Sequence, residues 1–326
     1  AVMKTLWTAL AVGILACGGC SSVGNVPSAQ VGAPFVSHRL ADRFAASGRL
    51  LYVSDCNNGI VQVYGYPPRG KETPAATLTG FLEPQGMCVG DYDHAFIVNS
   101  GDFDVLEYEY GATKPLVSWP NQGNVGIACA WDASTSTLAI SDVVQVSVNG
   151  AVSLCSAPGR CNTYQEPAGI VTCLFLDYLP NGDLYLDGFS KSGFAMAYLR
   201  HGTTTWQPVT YSGPTPNVPG NVQWDGRYLT VGDQQSNMGY AVIYRCKPSG
   251  AKVDCRYGKT LLKPSSDVPQ YFIKPGSNGV VGPDAVTGDV DTWAYPGGGQ
   301  PLPHKHIHVP QSNPRNFGAA ILNPPN

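Results

Sequence analysis

The chain has 326 residues, 43% of them hydrophobic, so it can bury a large core, yet only 13% are charged, about half the usual ~25%. Its formal net charge is -3, without a contiguous basic or acidic run, which argues against a nucleic-acid-binding surface. Its 38 Gly and 27 Pro, set in an apolar and Tyr-rich chain, predict many short strands and few helices.

The first element is a leader, residues 1–16. Lys4 supplies a positive start, and the apolar run Leu6 to Ala16 is too short for the about 20 residues that span a bilayer. Ile14-Leu15-Ala16-Cys17 resembles the lipobox of bacterial lipoproteins, with Leu15 departing from the small residue of that pattern. The resemblance implies cleavage before Cys17, acylation of its thiol and attachment to an outer membrane or cell surface. Cys20, preceded by Cys17-Gly18-Gly19, fits the pattern less well. Residues 17–47 then read as lipidated cysteine and tether. SSVGNVPSAQVGAP (21–34) is small and polar, and FVSHRLADRFAA predicts one short helix with Ser37 as its N-cap and Leu40 and Phe44 on one face.

From residue 48 onward one pattern recurs. LYVSDCNNGIVQVYGYP (51–67) is matched by AFIVN and VLEYEY within 95–110, by GIACAWDASTSTLAISD (126–142), by GIVTCLFLDYLPNGDLYLDG (169–188), by NVQWDGRYLTVGD (221–233) and faintly by QYFIKPGSNGVVGPD (270–284). Each unit is an apolar strand, a turn, a second apolar strand ending in Asp or Asn, and an alternating third strand. Asn181-Gly182, Asp225-Gly226 and Asn278-Gly279 supply the hairpin turns. An outer fourth strand follows, as in KPLVSW (114–119). A period of this kind predicts an all-β, six-bladed β-propeller over 48–326. Asn316-Phe317-Gly318-Ala319-Ala320 matches Asn124-Val125-Gly126-Ile127-Ala128, so the last segment reads as the first strand of a blade completed by residues 51–80. That blade, shared between the two ends, closes the ring and leaves no open edge.

Eight cysteines lie in this region, an even number that favours disulfides in an exported chain. Cys155 and Cys161 flank a tight loop, and Cys246 and Cys255 flank a hairpin at Ser249-Gly250, so each couple reads as a bridge. Cys56, Cys88, Cys129 and Cys173 allow three pairings, of which Cys56–Cys88 with Cys129–Cys173 is preferred. No C-x-x-C spacing suggests zinc.

The pattern P-x-G … LYV-x-D … V-x-V-Y resembles NHL-type and streptogramin-lyase-like repeat propellers, in particular secreted or lipid-anchored bacterial members without assigned activity. The likeness runs over nearly all of residues 50–322 and is specific for fold more than for function. It implies, for the enzymes of that group, His and Glu acting with Mg²⁺ on the channel face. Here His38 precedes the domain, and His94 and His201 fall in or beside turns, so no catalytic residue is carried over.

Polar residues at the starts of first strands, Glu83, Asn124, Glu166, Asn221 and Asn316, could ring the channel mouth and offer oxygens to Ca²⁺ or Mg²⁺. Such a cluster polarises a carbonyl in lactonase-like propellers; the plainer reading is solvated polar rim. The recurring Asp55, Asp142, Asp233 and Asp284 are expected to serve each blade by accepting backbone N–H bonds in the turn between second and third strands. His304, His306 and His308 in PHKHIHVP would share one face of an outermost strand, where imidazoles suit Zn²⁺ or Cu²⁺, or would simply form a polar edge. Nucleophile-elbow, P-loop and zincin motifs are absent. The six Trp, Trp131 and Trp224 among them, are expected to pack between blades. The reading is therefore a monomeric cell-envelope lipoprotein that binds a protein or glycan, with no required cofactor; the alternative is a divalent-metal-dependent lactonase or lyase at the channel mouth.

Overall fold

The computed structural model describes residues 48–70, 72–122, 124–143, 150–309 and 314–324. Cys17, Cys20, the leader and the tether lie outside these residues. Six sheets follow one another along the chain, antiparallel except for one outer pair in blade 5, where Thr210–Ser212 runs parallel to Lys252–Asp254. Blade 1 runs from inner to outer strand as Asn316–Leu322, Arg49–Asp55, Ile60–Tyr66 and Ala76–Thr79. Blade 2 is Pro84–Val89, Ala95–Asn99, Asp104–Tyr108 and Val117–Pro120. Blade 3 is Val125–Asp132, Thr137–Val143, Gly150–Ala157 and Arg160–Gln165. Blade 4 is Ile170–Tyr178, Leu184–Ser190, Gly193–Leu199 and Trp206–Pro208. Blade 5 is Pro219–Trp224, Leu229–Asp233, Ala241–Pro248 and Lys259–Leu262, widened by Lys252–Asp254 and Thr210–Ser212. Blade 6 is Phe272–Ile273, Gly279–Pro283, Val290–Ala294 and His306–Ile307. The chain is a six-bladed β-propeller, and the shared blade closes as expected, with Leu50 opposite Leu322, Tyr52 opposite Ala320 and Asp55 opposite Asn316.

Alternation explains why the second strands are apolar throughout. Leu50 and Tyr52 pack into a core with Met87 and Ile97 of blade 2, whereas Leu51 and Val53 pack into another with Val281 and Val290 of blade 6. Ala95 and Ile97 likewise face blade 1, and Phe96 and Val98 face Cys129 and Ile140 of blade 3. Period-two alternation thus sends side chains to two cores, and both are dry. Each large side chain buried this way contributes roughly 1.5–3 kcal/mol. Trp131 packs between blades as expected, its ring 5.0 Å from Phe96.

The turns need glycine where the backbone is left-handed: Gly182 has φ 81° and Gly226 φ 98°. In the third turn the left-handed residue is Gly276, at φ 75°, and not Gly279, which already belongs to the strand.

Three disulfides join described cysteines: Cys155–Cys161, Cys246–Cys255 and Cys88–Cys129. The last corrects the preferred pairing. Cys88 and Cys129 occupy the inner strands of blades 2 and 3, which are neighbours in the ring although 41 residues apart in sequence. Cys56 is disulfide-bonded, though not to Cys88, and Cys173 is a buried free thiol beside Gly150, not a bridge partner. Disulfides of this number fit an extracellular or periplasmic location. Among the described residues no helix is long and apolar enough to cross a membrane.

Candidate functional site

The inner strands run side by side around the axis, so the channel has an upper end where they begin and a lower end where they finish. Glu83, Asn124, Glu166 and Asn316 all stand at the upper end. Glu83 and Glu166 adopt left-handed backbone, φ 57° and 43°, and remain partly exposed. Burial raises the Glu83 pKa above its ordinary value. Asn124 closes a turn, its N–H donating to the Asn121 carbonyl at 2.9 Å, and Asn316 is buried, with Nδ2 donating to the Gly288 carbonyl at 2.5 Å. Asn221 is set apart from these four: it reaches the lower cavity, and its Nδ2 donates to the Tyr271 carbonyl at 2.7 Å. Among the described residues no three His, Cys, Asp or Glu side chains are grouped to hold a metal ion.

The recurring acids act within their own blades: Asp55 and Asp284 accept N–H groups of the turn after the second strand, from Asn58 and Val286, but the bond that recurs goes to another place. Asp55 accepts the Arg315 N–H at 3.2 Å, Asp233 the Val218 N–H at 3.1 Å and Asp284 the Ser266 N–H at 3.1 Å, so each ties the end of a second strand to the chain leading into the first. Asn99 does the same for Leu82 at 2.7 Å. Asp142 instead accepts from side chains, Asn121 Nδ2 at 2.5 Å and Ser153 Oγ at 2.8 Å, and burial still pushes its pKa up to about 8. In blade 4 the acid comes one residue early. Asp187 is fully buried, accepts the Phe175 N–H at 3.1 Å and leaves Oδ2 without a partner; burial raises its pKa well above the carboxylate range.

Two rings meet across the axis. Phe175 of blade 4 and Phe317 of blade 1, opposite each other in the ring, stack with centroids 6.0 Å apart and planes 19° apart. Around them polar side chains bridge neighbouring blades. Ser54 Oγ donates to the Gln85 carbonyl at 2.6 Å, Ser100 Oγ to the Gly126 carbonyl at 2.5 Å, and Ser141 Oγ to the Leu174 carbonyl. Gln223 grips Ile273 with both amide atoms, Nε2 to its carbonyl and Oε1 from its N–H, each at 2.8 Å. Gln270 grips Met87 in the same way at 2.7 and 2.9 Å, passing over Gly318. A Cβ on Gly318 would lie 2.6 Å from the Gln85 carbonyl oxygen and 2.7 Å from Gln270 Oε1, and the backbone contact requires glycine there.

Below this layer lies a cavity of ≈ 190 Å³ bordered by Met87, Trp131, Asp177, Asn221, Gln223 and Gln270. Asp177 accepts the Trp224 N–H at 2.7 Å and the Tyr178 N–H at 2.9 Å, yet loss of solvent dominates and lifts its pKa to about 7. The indole N–H of Trp131 is buried without an acceptor. A second cavity of ≈ 190 Å³ borders Asp132, Tyr178 and His201, the residues following Trp131 and Asp177 lining it in turn. Asp177, Gln223 and Gln270 were missed in the sequence. Asp177 and Gln223 had a signal, each being a polar residue that interrupts an apolar first strand; Gln270 stands two residues before its strand, Phe272–Ile273, and had none.

The histidine segment is an outermost strand, as expected, but only two of its three imidazoles share its face. His306 and His308 are exposed while Ile307 and Val309 are buried, whereas His304 lies in the preceding turn with φ 59°. His306 Nδ1 lies 2.8 Å from Asp291 Oδ1, and His308 Nδ1 lies 2.7 Å from Asp289 Oδ1.

No family model and no curated protein matches the chain. Solved structures do. A chain of a nidogen–laminin complex superposes with a TM-score of 0.61 at 12% identity, covering 85% of this chain and 99% of that one. A gluconolactonase from Xanthomonas campestris gives 0.51 at 9% identity, covering 82% and 87%. A streptogramin B lyase gives 0.46 at 10%, covering 82% and 76%. At these identities the likeness is one of fold: the class defined is the six-bladed propeller, which serves binding proteins and enzymes alike.

Proposed function

We propose that this chain is an exported propeller, held in the cell envelope as a single copy by a lipid on Cys17, that binds a protein or glycan partner without turnover and without a required cofactor. One observation supports it above the others. The polar side chains of the channel, Asp177, Gln223, Gln270 and Asn221, are bonded to backbone groups of adjoining strands and hold the ring together. Groups so engaged are poorly placed to move protons or attack a substrate. Recognition is then left to the loops and to the lower face, where the Trp131 N–H lacks an acceptor.

A second reading, a divalent-metal-dependent lactonase or lyase, draws on Asn316 Oδ1, which is buried and unpaired and is an oxygen of the kind Ca²⁺ accepts. The two readings separate in one assay. Disulfide-intact Cys17→Ser protein is offered aliphatic lactones with Ca²⁺ or Mg²⁺, beside its Glu83→Gln and Glu166→Gln forms. Hydrolysis at background in all three is expected; turnover that dies with either substitution would overturn the binding reading. Anchoring is read separately, as incorporation of an alkynyl fatty acid by the wild-type chain and its loss in Cys17→Ser.

A further inference from the structure

The outer half of blade 5 departs from the rest of the chain in charge. Between Arg245 and Lys263 lie six basic residues and one acid, Asp254, a net of five positive charges within a chain of net -3. The fold concentrates them. Among the described residues only this blade is widened by extra strands outside its third, with Lys252 on one of them.

Three cations gather around two tyrosine rings. The guanidinium carbons of Arg227 and Arg245 lie 5.1 and 5.9 Å from the Tyr228 centroid, and Lys247 Nζ lies 4.2 Å from the Tyr257 centroid. The rings themselves are 6.0 Å apart. Arg245 is fixed over Gly258, where an added Cβ would come within 2.1 Å of Nη2, and its Nε is buried without an acceptor.

Nearby carboxylates do not neutralise this group. Asp225 accepts the Arg227 and Tyr228 N–H groups at 2.7 and 2.6 Å and the Tyr295 hydroxyl. Asp254 is held by Arg256 at 2.7 Å. Among the described residues no carboxylate forms an ion pair with Arg227, Arg245 or Lys247. Ring faces attract each cation, but the mutual repulsion remains and an external anion would relieve it.

Apolar groups accompany the charge. Tyr257 is 39% exposed and Met238 40%, with Lys259 Nζ 3.9 Å from the Met238 sulfur. Cations flanking exposed tyrosine and methionine suit the headgroup layer of a bilayer, where the amine and guanidinium groups meet phosphates and the apolar tips enter the boundary.

We infer that this face of blade 5 docks the domain on an anionic lipid surface through phosphodiester headgroups. It rests on the envelope-anchored reading for the presence of a membrane: the lipid keeps the propeller near, and the patch sets which face meets the bilayer.

The experiment is sedimentation of full-length Cys17→Ser protein with vesicles of phosphatidylcholine, alone or mixed with phosphatidylglycerol. The protein is expected to sediment with the mixed vesicles only, and less as salt rises. Arg227→Glu with Lys247→Glu should lower that partition by about tenfold or more, and Lys114→Glu, an exposed change on blade 2, should leave it unchanged. Arg227→Gln with Lys247→Gln serves should the charge reversal fail to fold. Equal binding to both vesicle types, or mixed-vesicle binding indifferent to the paired substitution, would overturn the inference. So would a soluble polyuronate that is bound as strongly and strips the protein from vesicles, since the patch would then belong to a soluble polyanion. Fatty-acid labelling of Cys17 is read on another protein in another assay, so either result can fail alone.

Discussion

The two ends of the channel are built from the same repeat and differ in what their polar residues do. At the upper end acids and amides tie a second strand to the start of the first within one blade, as Asp55 ties Arg315 and Asn99 ties Leu82. Toward the lower end Gln223, Gln270 and Asp177 reach from one blade to another and leave a cavity beneath them. A residue repeated in most blades serves the blade; a polar residue that occurs once in or beside an inner strand serves the ring. The distinction reverses the usual instinct, which looks for chemistry wherever acids recur.

Phe175 and Phe317 are buried and stack across the axis, so their loss should have the largest effect. Phe175→Ala is expected to cost about 3–5 kcal/mol in urea unfolding. A loss below about 1 kcal/mol would mean that the axis tolerates a void.

The Cys88–Cys129 bridge comes next, because both residues border the lower cavity and staple blades 2 and 3. Replacing both with Ser should cost about 3–4 kcal/mol for a loop of this length. Peptide mapping without reduction should find that bridge and an alkylatable thiol at Cys173 once the protein is unfolded.

Acidity gives a finer test. Burial raises Asp177 to about 7 and Asp142 to about 8 in the folded chain, above the about 3.9 of an exposed aspartate. The folded state therefore keeps protons that the unfolded state releases. Stability fully present below about pH 4 is lost as pH rises through 7 and 8. The melting temperature should fall from pH 5 to pH 8; Asp177→Asn should remove its share of the fall up to about pH 7, and Asp142→Asn should remove its share over the whole range up to about pH 8.

The smallest effect is expected at the outer edge of blade 6. His308→Ala breaks an exposed contact with Asp289 and should change stability by less than about 1 kcal/mol.

Much of the architecture was legible because closure of a repeat leaves little choice: strand alternation, turn glycines and the match between Asn316-Phe317-Gly318 and Asn124-Val125-Gly126 give six blades and the shared one. Cys155–Cys161 and Cys246–Cys255 were legible as well, since each spans one hairpin. Cys88–Cys129 was not, because its geometry depends on which inner strands adjoin across the ring and not on distance along the chain. The lower cavity was hidden for a related reason. Inner strands bulge, as between Pro84 and Met87 and between Gly220 and Val222, so a simple in–out alternation misplaces the side chains that follow. Asn221 was assigned to the wrong end by that slip. His304 was placed on a strand because the pattern i, i+2, i+4 carries no sign of the left-handed turn that holds it.

Single polar residues in or beside the inner strands hold the ring, and the acids of the upper rim do not. Equilibrium unfolding of Gln270→Ala beside Glu83→Gln tests it most directly. Gln270→Ala strips a donor and an acceptor from buried Met87 backbone and should cost about 1–3 kcal/mol, whereas Glu83→Gln should stay within about 0.5 kcal/mol of the parent. A stable Gln270→Ala beside a Glu83→Gln protein that unfolds early would contradict the account.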